Sequence, residues 1–434
     1  MTGSDPAAPL SFGQEEVWRR LRAPGADAAQ LAQLGFAVRL RGRLQIEALA
    51  ESLTAVLDRH SALRTRIVED ACGVQQRIVE PGRDVLDVGR TPATAGADVL
   101  AALRSGLRAP LDLRDGGPLG AELVRISPTE HVLLLRLHAI AVDGASARIV
   151  LTDLAAGYAA RVAGVSADLA RPLQYPDLAA AERRQADAGR WAQLPAWRTA
   201  LVDFDPLIRW PDGAPAPASE GRLETFVEPD LLASAREACR RRNATVFAGL
   251  LGAYASALGE VTGQRRLVVG VASAARSWPQ LTDVVGPLAV DLPVGVDLDG
   301  PGAAVHSASE ALRGLLSRDP VPTPVLTRAL GWRHEPENPA VDASLSLQEE
   351  LPRVPDLPGV QATPLRTDVL PPLTTRVRLS VLAANGGLRC YLRYRALDPA
   401  HAQALLDQFR HSFAGEVCAD APRQESPRSL GSMP

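Results

Sequence analysis

The spacing of apolar residues along this chain changes repeatedly, and each change marks an element. Phe36-Ala37-Val38-Arg39-Leu40-Arg41-Gly42 alternates with a period of two, which predicts a strand with one wet face. From Ile46 to Arg59 the period is helical, with Leu49, Leu53, Val56 and Leu57 on one stripe. Val99 to Leu107 reads as a helix, Pro118 to Arg125 and His131 to Ile140 as strands meeting near Pro128, and Ala145 to Val162 as a further helix. The second strand contains the run Leu133-Leu134-Leu135-Arg136-Leu137, the signature of a buried strand, and ends in His138-Ala139-Ile140-Ala141-Val142-Asp143-Gly144. Such a strand end can hold polar side chains rigidly at the edge of a cleft while its body stays in the core.

Helical pattern from Ala179 to Val202 closes the first half, and the Pro/Gly/Ala-rich stretch from Pro211 to Gly221 reads as a surface connection. A short strand (Arg222 to Val227) and a helix (Asp230 to Arg242) come next. Then follow a long apolar helix from Ala244 to about Leu258, the strand Arg266 to Ala272, and the apolar stretch Val284 to Pro293. The last strands are expected at Ala340 to Gln348, Arg376 to Val381 and Leu388 to Tyr394, with a closing helix from Pro399 to Phe413. Residues after about Cys418 read as a disordered polar tail. At 434 residues the chain exceeds one ordinary core, so two α/β subdomains are expected.

Composition narrows the partners. A formal charge of -3 gives no global attraction to nucleic acid or an anionic membrane, although all 47 basic residues are arginine. Nothing reaches the length of a membrane span, and no signal-peptide pattern opens the chain, so a soluble cytoplasmic protein is expected. The four cysteines (Cys72, Cys239, Cys390 and Cys418) lack zinc-ligand or redox spacing, and the seven histidines lack metal spacing, so no metal is expected.

Several motifs carry chemistry. Ser11 with Gln14 three residues on makes a capping box ahead of Trp18. Arg59-His60-Ser61-Ala62-Leu63-Arg64-Thr65 ends a helix, where His60 is most simply structural. In order along the chain, Ser-x-x-Gln-x-x-x-Trp (Ser11, Gln14, Trp18), Arg-His-x-x-Leu-Arg-Thr (Arg59 to Thr65), His-x-x-x-x-Asp-Gly (His138, Asp143, Gly144) and Tyr-x-Asp (Tyr175, Asp177) closely resemble the core motifs of condensation domains in nonribosomal peptide synthetases. The resemblance runs from Pro9 to about Val417. It thins in the second half: the fifth motif keeps Gly286 but has Val290 and Asp291 for its Asn and Thr, and the sixth keeps Asp319 with Val321-Pro322 but lacks its Phe-Glu.

The resemblance implies two chloramphenicol-acetyltransferase-like subdomains in a V, divided as residues 1–180 and 181–417 with the tail at 418–434. Between them it implies a central tunnel, with His138 to Gly144 at its middle. It also implies that Asp143 is held by a salt bridge from Arg64, an architectural role that suits a buried carboxylate. The family's catalytic residue is the second His of His-His-x-x-x-Asp-Gly, and here that position is Ala139, whose methyl can neither hydrogen-bond nor take a proton. His138, on an alternating strand, should face away from Ala139 as a packing residue unless a backbone shift turns it inward.

Three functions follow as expectations. A freestanding condensation-like protein could join acyl or aminoacyl groups into an amide or ester by positioning alone. A non-catalytic relative could use the same surfaces to recruit carrier proteins or a tailoring enzyme. A hydrolase or acyltransferase with a relocated base has only Ser344 and Ser346 as weak candidates. The partners implied are acyl or peptidyl carrier proteins with their phosphopantetheine arms, no cofactor being bound by the protein itself, and a monomer is the family's usual state.

Overall fold

The computed structural model describes residues 7–22, 33–71, 73–80, 86–88, 97–167, 169–189, 191–211, 220–300, 302–318, 321–332, 341–348, 354–365 and 373–415. The polar tail, the first six residues, Cys72, Cys418, Asp319 and most of the Pro211 to Gly221 connection lie outside these residues.

The first half runs β1 (Ala7–Pro9), α1 (Phe12–Leu21), β2 (Gln33–Gly42), α2 (Ile46–Arg59), β3 (Thr65–Asp70), β4 (Gly73–Ile78), β5 (Leu86–Asp87), α3 (Ala97–Arg108), β6 (Leu119–Ser127), β7 (Glu130–His138) and α4 (Gly144–Val162). Two helices, α5 (Tyr175–Asp187) and α6 (Leu194–Leu201), lead out of it. The pattern from Ala179 to Val202 predicted one helix, but Gly189 breaks it by taking the left-handed conformation at φ 64°. The second half runs β8 (Glu220–Val227), α7 (Pro229–Arg241), α8 (Val246–Thr262), β9 (Arg266–Ser273), β10 (Val290–Asp297), α9 (Ala303–Leu316), α10 (Thr323–Leu330) and β11 (Ala343–Gln348). It closes with β12 (Val360–Leu365), β13 (Val377–Ala384), β14 (Gly387–Arg395) and α11 (Pro399–Gly415).

These strands form a small sheet, β1-β4-β3, and two larger ones, β12-β2-β7-β6-β5 and β10-β9-β11-β13-β14-β8. Strand β7 explains its own apolar run. Leu133, Leu135 and Leu137 pack with Leu49 and Leu53 of α2 and Val150 and Leu154 of α4, while Val132 and Leu134 face Leu103 and Leu107 of α3. A strand covered on both faces needs apolar residues at consecutive positions. In the second half α8 is apolar nearly all round because it is enclosed: Tyr254 meets Phe409 of α11 edge-on, and Leu250, Leu251 and Leu258 share a core with Val269, Leu345 and Leu379 of the sheet. Among the described residues no single helix is long and apolar enough to cross a membrane.

Two segments depart from sequence order. Strand β12 belongs by position to the second half, yet it pairs antiparallel with β2 from Val360↔Gly42 to Leu365↔Ala37. The stretch Val284 to Pro293 becomes a strand only from Val290; Val284 and Val285 instead enter the core of the first half. A division near residue 180 is therefore crossed twice by chain from the second half, and the second crossing reaches the end of β7.

Candidate functional site

The site is assembled from the N-terminal helix outward. Ser11 Oγ accepts the Gln14 N–H at 3.0 Å and the Ser11 N–H donates to Gln14 Oε1 at 3.0 Å, so the expected capping box forms. The fully buried Gln14 does more than cap. Its Nε2 donates to Ile140 O at 3.2 Å, and its carboxamide pairs reciprocally with that of Gln76 at 3.1 Å. A buried amide must find partners, and here those partners include the turn that follows β7.

In that turn the chain leaves the sheet. His138 is the last residue of β7, and its carbonyl accepts the N–H groups of Ala141 and Val142. The imidazole is buried, and Nδ1 accepts the Ile140 N–H at 3.1 Å, which leaves the ring as part of its own turn. Burial lowers its pKa from 6.5 to about 4, so it is neutral at physiological pH. Ala139 is half-buried and presents only a methyl. Gly144 is exposed, and a Cβ built on it would meet nothing within 4 Å, so space stands open beside the turn.

Asp143 closes the turn and caps α4. Its Oδ1 accepts Ser146 N–H at 2.8 Å and Ser146 O–H at 2.8 Å. The expected salt bridge from Arg64 is not formed. Arg64 donates instead to the carbonyls of Leu57 (2.9 Å) and Val79, where it ties α2 to the strand region behind it. The charge partner is Arg276, whose guanidinium reaches Asp143 Oδ2 at 2.8 Å and Oδ1 at 3.0 Å, with both side chains nearly buried at 7% and 8% exposure. This two-pronged contact is the strong geometry for an arginine–carboxylate pair. Backbone N–H groups of Leu288 and Ala289 add donors to Oδ2 at 3.0 and 2.8 Å.

The consequence is a clasp between halves. Residues 274–289 of the second half are drawn onto the β7–α4 turn through Asp143, through Ser146 and through a packed tyrosine. Ser146 Oγ donates to Asp143 or Gly286 O (2.9 Å) and accepts from Gly286 N–H (3.0 Å) and Arg276 (3.0 Å). Tyr175 lies so close to Gly286 that a Cβ there would come within 2.1 Å of the ring, which explains a glycine at that position. The Tyr175 hydroxyl shares a 2.7 Å hydrogen bond with Ser11 Oγ, and burial pushes its pKa up.

The remaining candidates stand apart from this turn. His60 caps the C-terminal end of α2, with Nε2 2.7 Å from Asp153 Oδ2 and Arg59 on the same oxygen at 2.8 Å. Ser344 Oγ meets Thr375 Oγ1 and Arg378 Nε, each at 3.0 Å, and Ser346 donates to Ser380 at 3.1 Å, so neither is joined to a base. Asp291 is ion-paired with Arg378. Cys239 and Cys390 are buried, and burial pushes the pKa of the latter up to about 12. Among the described residues no group of His, Cys, Asp and Glu is placed to hold a metal ion.

The condensation-domain family matches residues 7–411. The chain belongs to the condensation-domain family. Isonitrile lipopeptide synthase of Mycobacterium tuberculosis is 32% identical over 385 residues, and phosphinothricin tripeptide synthetase PhsC of Streptomyces viridochromogenes is 31% identical over 312. The alignments cover 83% and 69% of this chain but only 15% and 28% of those proteins, so this condensation domain spans less than a third of each. Among solved structures, the X-domain from teicoplanin biosynthesis superposes with a TM-score of 0.84 at 26% identity, covering 95% of each chain. The same X-domain in complex with OxyB gives 0.82 at 25% identity, over 97% of this chain and 95% of that one. The condensation domain of the Monacolin K polyketide synthase MokA shares the fold, with a TM-score of 0.78.

Sequence reasoning missed Arg276, the central residue of this condensation domain's clasp. It sits in Ala274-Ala275-Arg276-Ser277, a stretch without periodicity, and its partner is 133 residues away. One signal was available: a buried carboxylate demands a cation, and a segment that resumes an apolar pattern at Val284 without being a strand has to pack somewhere else.

Proposed function

We propose that this condensation domain serves nonribosomal peptide assembly as a docking platform. It receives groups held on the phosphopantetheine arms of carrier proteins and recruits carriers or a tailoring enzyme, without supplying a proton-transfer catalyst. On this reading the halves on either side of residue 180 flank a tunnel with the 138–144 turn at its middle. The observation that carries the reading is the occupation of the turn's ionisable groups. His138 is neutral and spends Nδ1 on Ile140, Asp143 is saturated by Arg276, Ser146, Leu288 and Ala289, and the half-buried residue between them is Ala139, which carries only a methyl. General acid–base catalysis needs a group that can exchange a proton within hydrogen-bond reach; with Nδ1 accepting from Ile140, the His138 ring carries its proton on Nε2 and has no lone pair left to act as a base. The likeness to the teicoplanin X-domain, which has been solved in complex with OxyB, supports a second protein docking on this fold.

A second reading has its own observation. The open space at Gly144, where the turn after β7 enters α4, leaves room for a ligand, so amide or ester formation by positioning alone is chemically available. Intact-protein mass spectrometry on pairs of loaded carrier proteins separates the two, comparing wild type, Ala139→His and His138→Ala with a protein-free control. The platform reading expects no acyl transfer by wild type above the control, together with measurable binding of a carrier or tailoring enzyme. Transfer by wild type overturns it, and full retention of that rate in His138→Ala would assign the catalysis to positioning.

A further inference from the structure

The six-stranded sheet has an apolar side and a cationic side. On β14, Leu388, Cys390, Leu392 and Tyr394 enter the core, and strand alternation sends Arg393 and Arg395 to the opposite face. The Arg395 N–H donates to Arg376 O, so these two arginines are neighbours where β13 begins and β14 ends. Arg395 Nε donates to Thr375 O at 3.2 Å, which leaves the terminal fork of its guanidinium unspent. Among the described residues neither Arg376 nor Arg395 is ion-paired.

A third cation comes from the other half. Arg20 of α1, itself held by Glu16 at 2.8 Å, lies near enough to act on Arg395. Burial first, then the charges of Arg20 and Arg376, depress Arg395 below its ordinary range. The nearby carboxylates offset only part of this. Glu220 pairs with Arg393 at 3.5 Å, and buried Asp342, whose Oδ2 accepts the Ile208 N–H and whose Oδ1 has no hydrogen-bond partner, attracts both Arg376 and Arg395 without reaching ion-pair distance. Like charges gathered away from bulk water repel far more strongly than in solution, and a bound anion reverses the sign of that term. A pair of guanidinium forks is shaped for the oxygens of a phosphate or carboxylate. The place is suitable too. Arg20 is six residues along the same helix from Gln14, which holds the 138–143 turn, and so about 9 Å along its axis.

We infer that Arg376 and Arg395, neighbours where β13 begins and β14 ends, bind an oxyanion on the ligand that enters between the two halves. This rests on the proposed reading that tethered groups are received there. The oxyanion has two chemical sources, the phosphate of the arm or a carboxylate on the group it carries. Isothermal titration of the intact protein with 4′-phosphopantetheine, pantetheine and glutarate distinguishes them. An arm phosphate makes 4′-phosphopantetheine bind more tightly than pantetheine; a carried carboxylate makes glutarate the tighter ligand. In either case Arg376→Gln and Arg395→Gln each weaken binding by about tenfold or more, and Arg395→Lys restores part of it. Two results overturn the inference. Neither oxyanion binds wild type better than pantetheine, or both glutamine variants bind like wild type while keeping its circular dichroism and Tm. Carrier-protein binding measured in the same series keeps the readings apart, because a wild type that binds carrier but no oxyanion loses this inference alone.

Discussion

Replacing Arg276 by methionine tests the clasp most directly. The substitution keeps the aliphatic stem and removes the charge from a pair whose members are 7% and 8% exposed. Breaking a buried ion pair by removing one member costs about 3–5 kcal/mol, because the other charge stays buried. Asp143 would keep Ser146 N–H, Ser146 O–H, Leu288 N–H and Ala289 N–H, which places the loss at the low end, about 3 kcal/mol. A change of that size is roughly a 150-fold shift in an opening equilibrium. It should appear as faster hydrogen exchange across residues 284–289 and as a lower urea midpoint. The partner assignment is tested by two double-mutant cycles, Arg276→Met with Asp143→Asn and Arg64→Met with Asp143→Asn. The first should show a coupling of about 2 kcal/mol or more, and the second less than about 0.5 kcal/mol, as for sites that share no contact. A larger coupling for Arg64, or an Arg276→Met variant as mild as a surface change, would refute the clasp.

Other parts of the site make smaller predictions. Ser146→Ala removes a buried hydroxyl that serves Asp143, Arg276 and Gly286 at once, so a loss of about 1–3 kcal/mol is expected by urea unfolding, where the exposed Ser317→Ala should change little. Gly286→Ala forces a methyl against the Tyr175 ring and should lower stability by about 1–3 kcal/mol, with partial recovery when Tyr175→Leu is added; no recovery would place the strain elsewhere. His138 couples stability to pH. Its folded pKa of about 4 lies below the ordinary 6.5, so between those values the unfolded chain takes up the proton. Its contribution is complete above about pH 6.5 and is lost as pH falls toward 4, in total on the order of 3 kcal/mol. His138→Asn should flatten the fall of the urea midpoint between pH 7 and 4.5, and an unchanged slope would contradict a buried neutral imidazole.

The elements that were legible in the sequence are those whose pattern is local. The stripe Leu49, Leu53, Val56 and Leu57 predicted α2 with its observed ends, and Ser11 with Gln14 predicted a cap that forms as drawn. Gly189, whose left-handed conformation splits a helical pattern, was misread, and the apolar stretch from Val284 predicted no element, because tertiary demands there outweigh periodicity. Strand β12 was missed for the same reason. Its Val360-Gln361-Ala362-Thr363-Pro364-Leu365 contains a proline, which argues against a strand, and it is one because β2 offers it an edge. At the site, Asp143 was expected to pair with Arg64 and pairs with Arg276 instead; the choice depends on which loop crosses the seam, and spacing carries no such information.

The clasp also explains how an alanine is tolerated at position 139. Each neighbour is fixed by something other than that side chain: His138 by Ile140, Ile140 O by Gln14, Asp143 by Arg276 and Ser146, and Gly286 by Tyr175. None of these bonds passes through residue 139, so the turn keeps its shape whatever is placed there. Position 139 can therefore vary without cost to the fold, while Asp143, Ser146 and Arg276 cannot. On the proposed reading this separates two requirements that a motif written as one string conceals. Holding the halves together calls for Asp143 and its donors, and proton transfer calls for position 139. The Ala139→His variant should accordingly fold with wild-type stability, within about 0.5 kcal/mol, whether or not it gains acyl transfer. A large loss of stability would mean that the space at the turn is filled on the inner side, and that the platform reading has misplaced where ligands enter.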